Sequence, residues 1–133
     1  IIVSLTTYEP RLYETYLAIE SIMQQTVKAN RIILWLPDSL KTTTLPNTLQ
    51  LQMKRGLEVR YCKDIRSYKK LIPALRSYPD DAIITIDDDA IYHIDLIEKL
   101  VNSYIKDPQF IYKMESFYRI WGGKNVLIWR HLF

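Results

Sequence analysis

Ala82-Ile83-Ile84-Thr85-Ile86-Asp87-Asp88-Asp89 decides how this chain is to be read. Its first five positions are apolar at every step except Thr85. A strand with one wet face alternates apolar and polar residues, whereas a run that is apolar throughout suits a central parallel strand covered on both faces. The run then breaks into three carboxylates, so a buried strand delivers three acids to one end of a sheet.

Working outward, the apolar spacing switches between short strand-like and longer helix-like pieces, which is the rhythm of an α/β chain. Ile1 to Thr6 reads as a first strand that stops at Thr6-Thr7-Tyr8-Glu9-Pro10. Leu12, Tyr16, Ile19 and Met23 then recur at helical spacing, with Pro10 near the helix start. Arg31 to Leu36 reads as a second strand closed by Pro37-Asp38, and Leu45, Leu49 and Met53 trace a helix between Pro46 and Gly56. Leu57, Val59 and Tyr61 alternate as a third strand, and Leu71 to Tyr78 predicts a short helix with Pro73 in its first turn. Beyond the aspartates, Ile94, Ile97, Val101 and Tyr104 mark another helix. Gln109 to Phe133 is aromatic-rich, with two strand-like runs around Gly122-Gly123. The expected fold is a three-layer α/β/α sandwich with a mostly parallel central sheet and right-handed crossovers. Ligands of such sheets sit beyond the carboxyl ends of the strands, where both Thr6-Thr7-Tyr8 and Asp87-Asp88-Asp89 fall.

At 133 residues the chain is expected to be one domain with a real core, and 48% hydrophobic with 25% charged residues is an ordinary globular balance. The net charge of +3 is small but unevenly placed. Lys54 to Arg76 carries eight Lys or Arg against Glu58 and Asp64, whereas Asp80 to Glu98 carries seven acids and no Lys or Arg. A metal-bound phosphate ligand would satisfy both stretches; two solvated surfaces of opposite sign are the plainer account. Nucleic-acid binding by the basic stretch is opposed by the acidic cluster beside it. The single cysteine, Cys62, excludes an internal disulfide and a cysteine-rich zinc site, so a reducing, cytoplasmic setting is expected. No apolar run approaches the roughly 20 residues needed to span a bilayer. Ile1 to Leu5 lacks the basic flank of a signal peptide, and with Ile rather than Met in first place a trimmed amino terminus is expected.

Three consecutive carboxylates repel one another, and at a sheet end that repulsion costs stability unless a cation or hydrogen-bond donors offset it. A hard divalent cation, Mn²⁺ or Mg²⁺, takes oxygen ligands and commonly uses one or two carboxylates plus substrate phosphate. With the backbone extended, Asp87 and Asp89 would share one side and Asp88 the other. Asp89 is then the first choice of metal ligand, with Asp87 meeting a ribose or standing behind the metal's direct ligands. The competing account is an acidic solvated turn that caps the next helix, Asp95 included.

Several pieces in this order resemble bacterial GT-A glycosyltransferases of the kind encoded with capsule and lipopolysaccharide genes. They are Ile2-Val3-Ser4-Leu5-Thr6-Thr7-Tyr8 with Arg11, Glu20-Ser21-Ile22 with Gln24-Gln25-Thr26, Ile32 to Leu36, Asp64 to Leu71, and Ile83 to Asp89. The resemblance covers residues 1 to about 105 and implies a nucleotide-sugar-binding part there, with 106–133 as a shortened acceptor-side remainder. It implies a nucleotide-diphosphate sugar donor lying against Thr6, Thr7 and Tyr8. Asp87 and Asp89 would hold Mn²⁺ or Mg²⁺, with Asp88, Arg11, Arg66 and Lys69 counted among the donor contacts and Lys70 close by. Many relatives end the second strand in an acidic pair that meets the base; here Trp35-Leu36-Pro37-Asp38 stands there, leaving Asp38 as the substitute. The fold usually continues further on the acceptor side, where only Ala90 to Phe133 remains. Within it Glu115 is the candidate base, beside Asp89 as catalytic residue, and His131 the candidate third metal ligand.

The implied activity is metal-dependent transfer of a sugar to a glycan or lipid-linked acceptor in surface polysaccharide synthesis, at the inner face of the membrane. Phe110, Tyr112, Phe117, Tyr118, Trp121, Trp129 and Phe133 would line the acceptor or meet the membrane interface, with core packing as the alternative. A truncated, non-catalytic nucleotide-sugar-binding or interaction module is the competing function. A nucleotidyltransferase would carry a Gly-rich phosphate loop after its first strand, and Thr6-Thr7-Tyr8-Glu9-Pro10 has no glycine.

Overall fold

The four expected strands form and lie parallel: β1 (Ile2–Thr6), β2 (Arg31–Pro37), β3 (Leu57–Cys62) and β4 (Ile83–Thr85). The computed structural model describes residues 1–108 together with the backbone of three later strands. After β5 (Ala90–Ile91) these are β6 (Tyr112–Met114), β7 (Tyr118–Arg119) and β8 (Val126–Trp129). Phe110, Phe117, Trp121 and Phe133, expected on the acceptor side, lie outside the described residues, as do the side chains of Tyr112, Tyr118 and Trp129.

The main sheet runs β3-β2-β1-β4-β8-β6, with β8 antiparallel to both β4 and β6. The chain winds from β1 outward to β2 and β3, then returns to place β4 on the other side of β1. The winding direction therefore reverses between β1 and β4, and that reversal leaves a crevice at their carboxyl ends.

Side chains alternate along each central strand, and both faces are covered. Val3, Leu5, Leu34, Leu36, Ile84 and Ile86 point to one side. There they meet Ala18, Ile19 and Ile22 of α1 (Thr15–Met23), Leu49 of α2 (Asn47–Lys54) and Leu96, Ile97 and Leu100 of the helix Leu96–Lys106. Ile2, Ile33, Trp35 and Ile83 point to the other side, against Ala74 of α3 (Ile72–Ser77). The helix Leu96–Lys106 is α4 in chain order. Each fully buried Leu or Ile contributes roughly 1.5–3 kcal/mol, which is why the uninterrupted apolar strands end up central.

The structure departs from the sequence expectation in a few places, each with a local cause. Pro10 starts a short 3-10 turn (Glu9–Arg11) rather than α1, which begins only at Thr15. On α2 the inward position after Leu49 is Gln52, not Met53: Gln52 donates to the Tyr16 carbonyl at 2.9 Å, while Met53 is exposed. Asp95 sits at the start of α4 but gives it no side-chain cap; its carboxylate binds His93 Nδ1 at 2.6 Å and Lys99 Nζ at 2.8 Å. The two-residue pairing of β5 with β7 is too short to leave a periodic signal.

Candidate functional site

β1 and β4 end side by side, and the polar segments that follow them interlock. Thr7 is buried, and its hydroxyl donates to Asp88 Oδ2 at 2.6 Å. Thr15, in the first turn of α1, has its own hydroxyl 2.9 Å from Thr7 Oγ1. Thr6 Oγ1 donates to the Trp35 carbonyl at 2.8 Å, tying the end of β1 to β2. The hydroxyl protons of Thr6 and Thr7 are thus used within the protein.

The turn at Glu9–Arg11 folds Arg11 back over the strand ends. Its Nη1 lies 3.1 Å from Asp88 Oδ1 and 3.3 Å from Asp89 Oδ2, and its guanidinium stands 5.3 Å from the Tyr8 ring centre, within cation–π range. Burial alone would lower the Arg11 pKa, but the charge and hydrogen bond of Asp88, with help from Tyr8 and Asp89, hold it above the usual value.

The expected alternation of the three aspartates does not hold. The chain leaves the extended conformation and turns at Asp88 and Asp89, so both carboxylates reach the same Arg11 nitrogen. Asp88 is almost fully buried, with Thr7 on one oxygen and Arg11 on the other. Asp89 is pushed above the ordinary carboxylate range by burial and by repulsion from Asp88 and Asp87, against the pull of Arg11. Asp87 is in direct contact with Lys70.

Tyr92 fixes the Asp87 backbone from below. The Asp87 N–H donates to the Tyr92 hydroxyl at 2.8 Å, and that hydroxyl lies 3.2 Å from the Asp87 carbonyl. Burial drives the phenol pKa well above its usual value, so Tyr92 stays neutral. Sequence reasoning did not single it out, although a buried tyrosine needs a partner for its hydroxyl and five residues of separation put one in reach.

The third wall comes from the segment after β3. Asp64 accepts from the Arg66 N–H at 3.0 Å and from Lys69 Nζ at 2.5 Å; the Lys69 side chain is buried while Asp64 is largely exposed. The hydrogen bonds from Lys69 and the Arg66 amide hold the Asp64 carboxyl below its usual pKa. Arg66 has φ 55°, a left-handed conformation that costs a non-glycine residue on the order of 1 kcal/mol. A short 3-10 turn, Arg66–Lys70, then directs its two consecutive lysines to two different acids.

These walls enclose a cleft of about 540 Å³. Thr6, Thr7, Tyr8, Arg11, Arg66, Lys69, Asp87, Asp88 and Asp89 all line it, so most of the residues singled out from sequence come together at the strand reversal. Pro37, Asp64, Ser67 and Lys70 line it as well. Asp38 does not: it follows β2 on the exposed side and pairs with Lys41 at 3.2 Å. The chain turns at Pro37, which gives the cleft its side in place of Asp38. Glu115 and His131 lie outside the described residues.

Among the described residues no group of three or more His, Cys, Asp or Glu side chains could hold a metal ion by itself. The available donors are carboxylate oxygens of Asp87 and Asp89, the latter held above its usual pKa by burial first and by the neighbouring acids second. That set fits a hard cation taking one or two carboxylates, with the rest of its shell filled by phosphate and water.

No protein-family model and no curated protein matches the sequence. Solved structures do match it by shape. A mannosyltransferase from Pyrobaculum calidifontis, in complex with GDP-Man and Mn²⁺, superposes with a TM-score of 0.60 at 18% identity, over 83% of this chain and 33% of that one. Residues 1–349 of S. aureus TarS give 0.59 at 18% identity with the same coverage of 83% and 33%. CMP:2-keto-3-deoxy-manno-octonic acid synthetase complexed with CTP gives 0.55 at 15% identity, over 86% of this chain and 53% of that one. At such identities the likeness is one of fold, and the fold is the GT-A type of α/β sandwich expected from the sequence. The chain spans about a third of the first two proteins and about half of the third.

Proposed function

We propose that this chain carries the donor site of a metal-dependent glycosyltransferase, binding a nucleotide-diphosphate sugar with Mn²⁺ or Mg²⁺. One observation carries the reading: at the reversal of the sheet, Asp87 and Asp89 line one cleft of about 540 Å³ together with Arg66, Lys69 and Lys70. Acids that suit a cation and cations that suit a diphosphate are needed together by a metal-bound diphosphate and by few other ligands. The mannosyltransferase of similar fold, complexed with GDP-Man and Mn²⁺, supports the same reading.

On this reading Asp89 and Asp87 hold the cation, which would act as a Lewis acid on the charge that develops as the sugar leaves. Arg66, Lys69 and Lys70 orient the diphosphate. Tyr8, half exposed and backed by Arg11, offers an aromatic face to the base or ribose. Thr6, Thr7 and Asp88 brace the strand ends, since their hydrogen-bonding atoms are engaged with one another and with Trp35 and Arg11. The acceptor, a glycan or lipid-linked one, and the setting, surface polysaccharide synthesis at the cytoplasmic face of the membrane, are part of the proposal. No helix among the described residues is long and apolar enough to cross a membrane.

Calorimetric titration of UDP-, GDP-, CMP- and dTDP-sugars, each with Mn²⁺ and with chelator, tests the donor site. Metal-dependent binding of one nucleotide class is the expected result. Absence of binding under every condition would leave a non-catalytic relative of the fold.

A further inference from the structure

Lys70 is bonded to one of the acids that the donor-site reading assigns to the cation. Its ammonium rests directly on Asp87 Oδ1, the two side chains being only 21% and 15% exposed. The Asp87 N–H and carbonyl are both held by the Tyr92 hydroxyl, which fixes the backbone that carries the carboxylate. The lysine, on a flexible four-carbon stem at the end of a 3-10 turn, is the partner free to move. Its neighbour Lys69 is buried on Asp64 and has no such freedom.

The geometry points to Lys70 as an exchangeable counter-cation that couples metal binding to diphosphate binding. This inference rests on the reading of the cleft as a donor site. A divalent cation on Asp87 Oδ1 and the Lys70 ammonium cannot share that oxygen without bringing like charges together. A metal ion that takes this oxygen without other ligands must displace Lys70 and leave a largely buried ammonium without its acid. A diphosphate arriving with the metal gives the displaced ammonium new oxygens within the same cleft. The metal alone then binds weakly, metal and diphosphate strengthen each other, and the strengthening is equal in both directions, as linkage requires. Replacing a lysine that only stabilised the fold would change neither the affinity for metal alone nor the size of that coupling.

The test is titration of Mn²⁺ alone, and of Mn²⁺ with UDP or GDP, into the wild type, Lys70→Met and Lys70→Arg, following bound Mn²⁺ by electron paramagnetic resonance. With the competing cation gone, Lys70→Met should bind Mn²⁺ alone about tenfold more tightly, while the gain from added nucleoside diphosphate shrinks by about tenfold, the change expected for one charge-assisted contact. Lys70→Arg should keep most of the coupling. Lys70→Gln serves if the methionine variant does not fold. If the wild type binds Mn²⁺ and diphosphate but Lys70→Met binds Mn²⁺ no more tightly than wild type, the exchange is wrong and the donor-site reading survives. If the wild type binds neither, both fall together.

Discussion

The hydroxyl of Thr7 donates a 2.6 Å hydrogen bond to Asp88, a contact that joins the ends of β1 and β4 across 81 positions of sequence. Asp88 uses its other oxygen to hold Arg11, so one buried carboxylate sets the distance between the strand ends and the direction of a cation over them.

Removing the hydroxyl while keeping the shape, Thr7→Val, leaves that carboxylate short of a donor in a buried place. The loss should be about 1–3 kcal/mol of stability. Thr7→Ser should restore most of it. Urea unfolding followed by fluorescence measures both, and a valine variant as stable as wild type would show that the contact contributes nothing.

Much of this was legible in the chain itself, for a physical reason. Strands apolar on both faces must be central, and a central parallel strand ending in acids must present them at a sheet end, so Ile83 to Asp89 carried both fold and site. What was hidden depends on turns and on partners distant in sequence. Asp88 was expected to face away from Asp87 and Asp89, but the turn at Asp88-Asp89 brings it onto Arg11. Asp38 carried the right charge on the wrong side of Pro37. Lys70 lay in a stretch of eight basic residues, and nothing local distinguishes the one lysine that meets Asp87.

Asp89 illustrates a site that opposes folding. Its folded pKa is raised, so the folded state disfavours the charged form: the penalty is present at neutral pH and is relieved as pH falls through the folded value. Asp89→Ala should therefore leave stability at pH 7 equal to or above that of wild type. The same variant should lose metal-dependent nucleotide binding by at least about tenfold, the weight of a charged contact. Undiminished binding of nucleotide with Mn²⁺ would remove Asp89 from the metal site.

Glu20 behaves in the opposite sense and lies away from the cleft. Arg55, first among its partners, grips it with contacts of 2.7 and 3.0 Å, and with Gln24 and Gln52 lowers its pKa from 4.5 to about 2. The stabilisation is fully present above pH 4.5 and is lost as pH falls towards about 2. Glu20→Gln should flatten the acid limb of a plot of urea midpoint against pH and leave nucleotide binding unchanged. An acid limb identical to that of wild type would mean that the pair is screened away by solvent.

Arg66 sets stability against binding at a single residue. Its φ of 55° is a conformation that glycine adopts freely and arginine does not, while its side chain lines the cleft across from the aspartates. A residue kept there against its own backbone preference is expected to earn its place through the side chain. Arg66→Gly should raise stability by up to about 1 kcal/mol, because the relief of strain outweighs the extra freedom of the unfolded glycine. It should also weaken nucleoside diphosphate binding roughly tenfold through loss of a charged donor. Arg66→Asn, which tolerates the same backbone but carries no charge, separates the two effects: it should recover part of the stability and none of the binding. Thermal unfolding and calorimetric titration on the same preparations measure both quantities. If the glycine variant is less stable than wild type, the arginine side chain is packing rather than recognising a ligand, and the segment Asp64 to Lys70 is a structural turn whose positive charge happens to face the cleft.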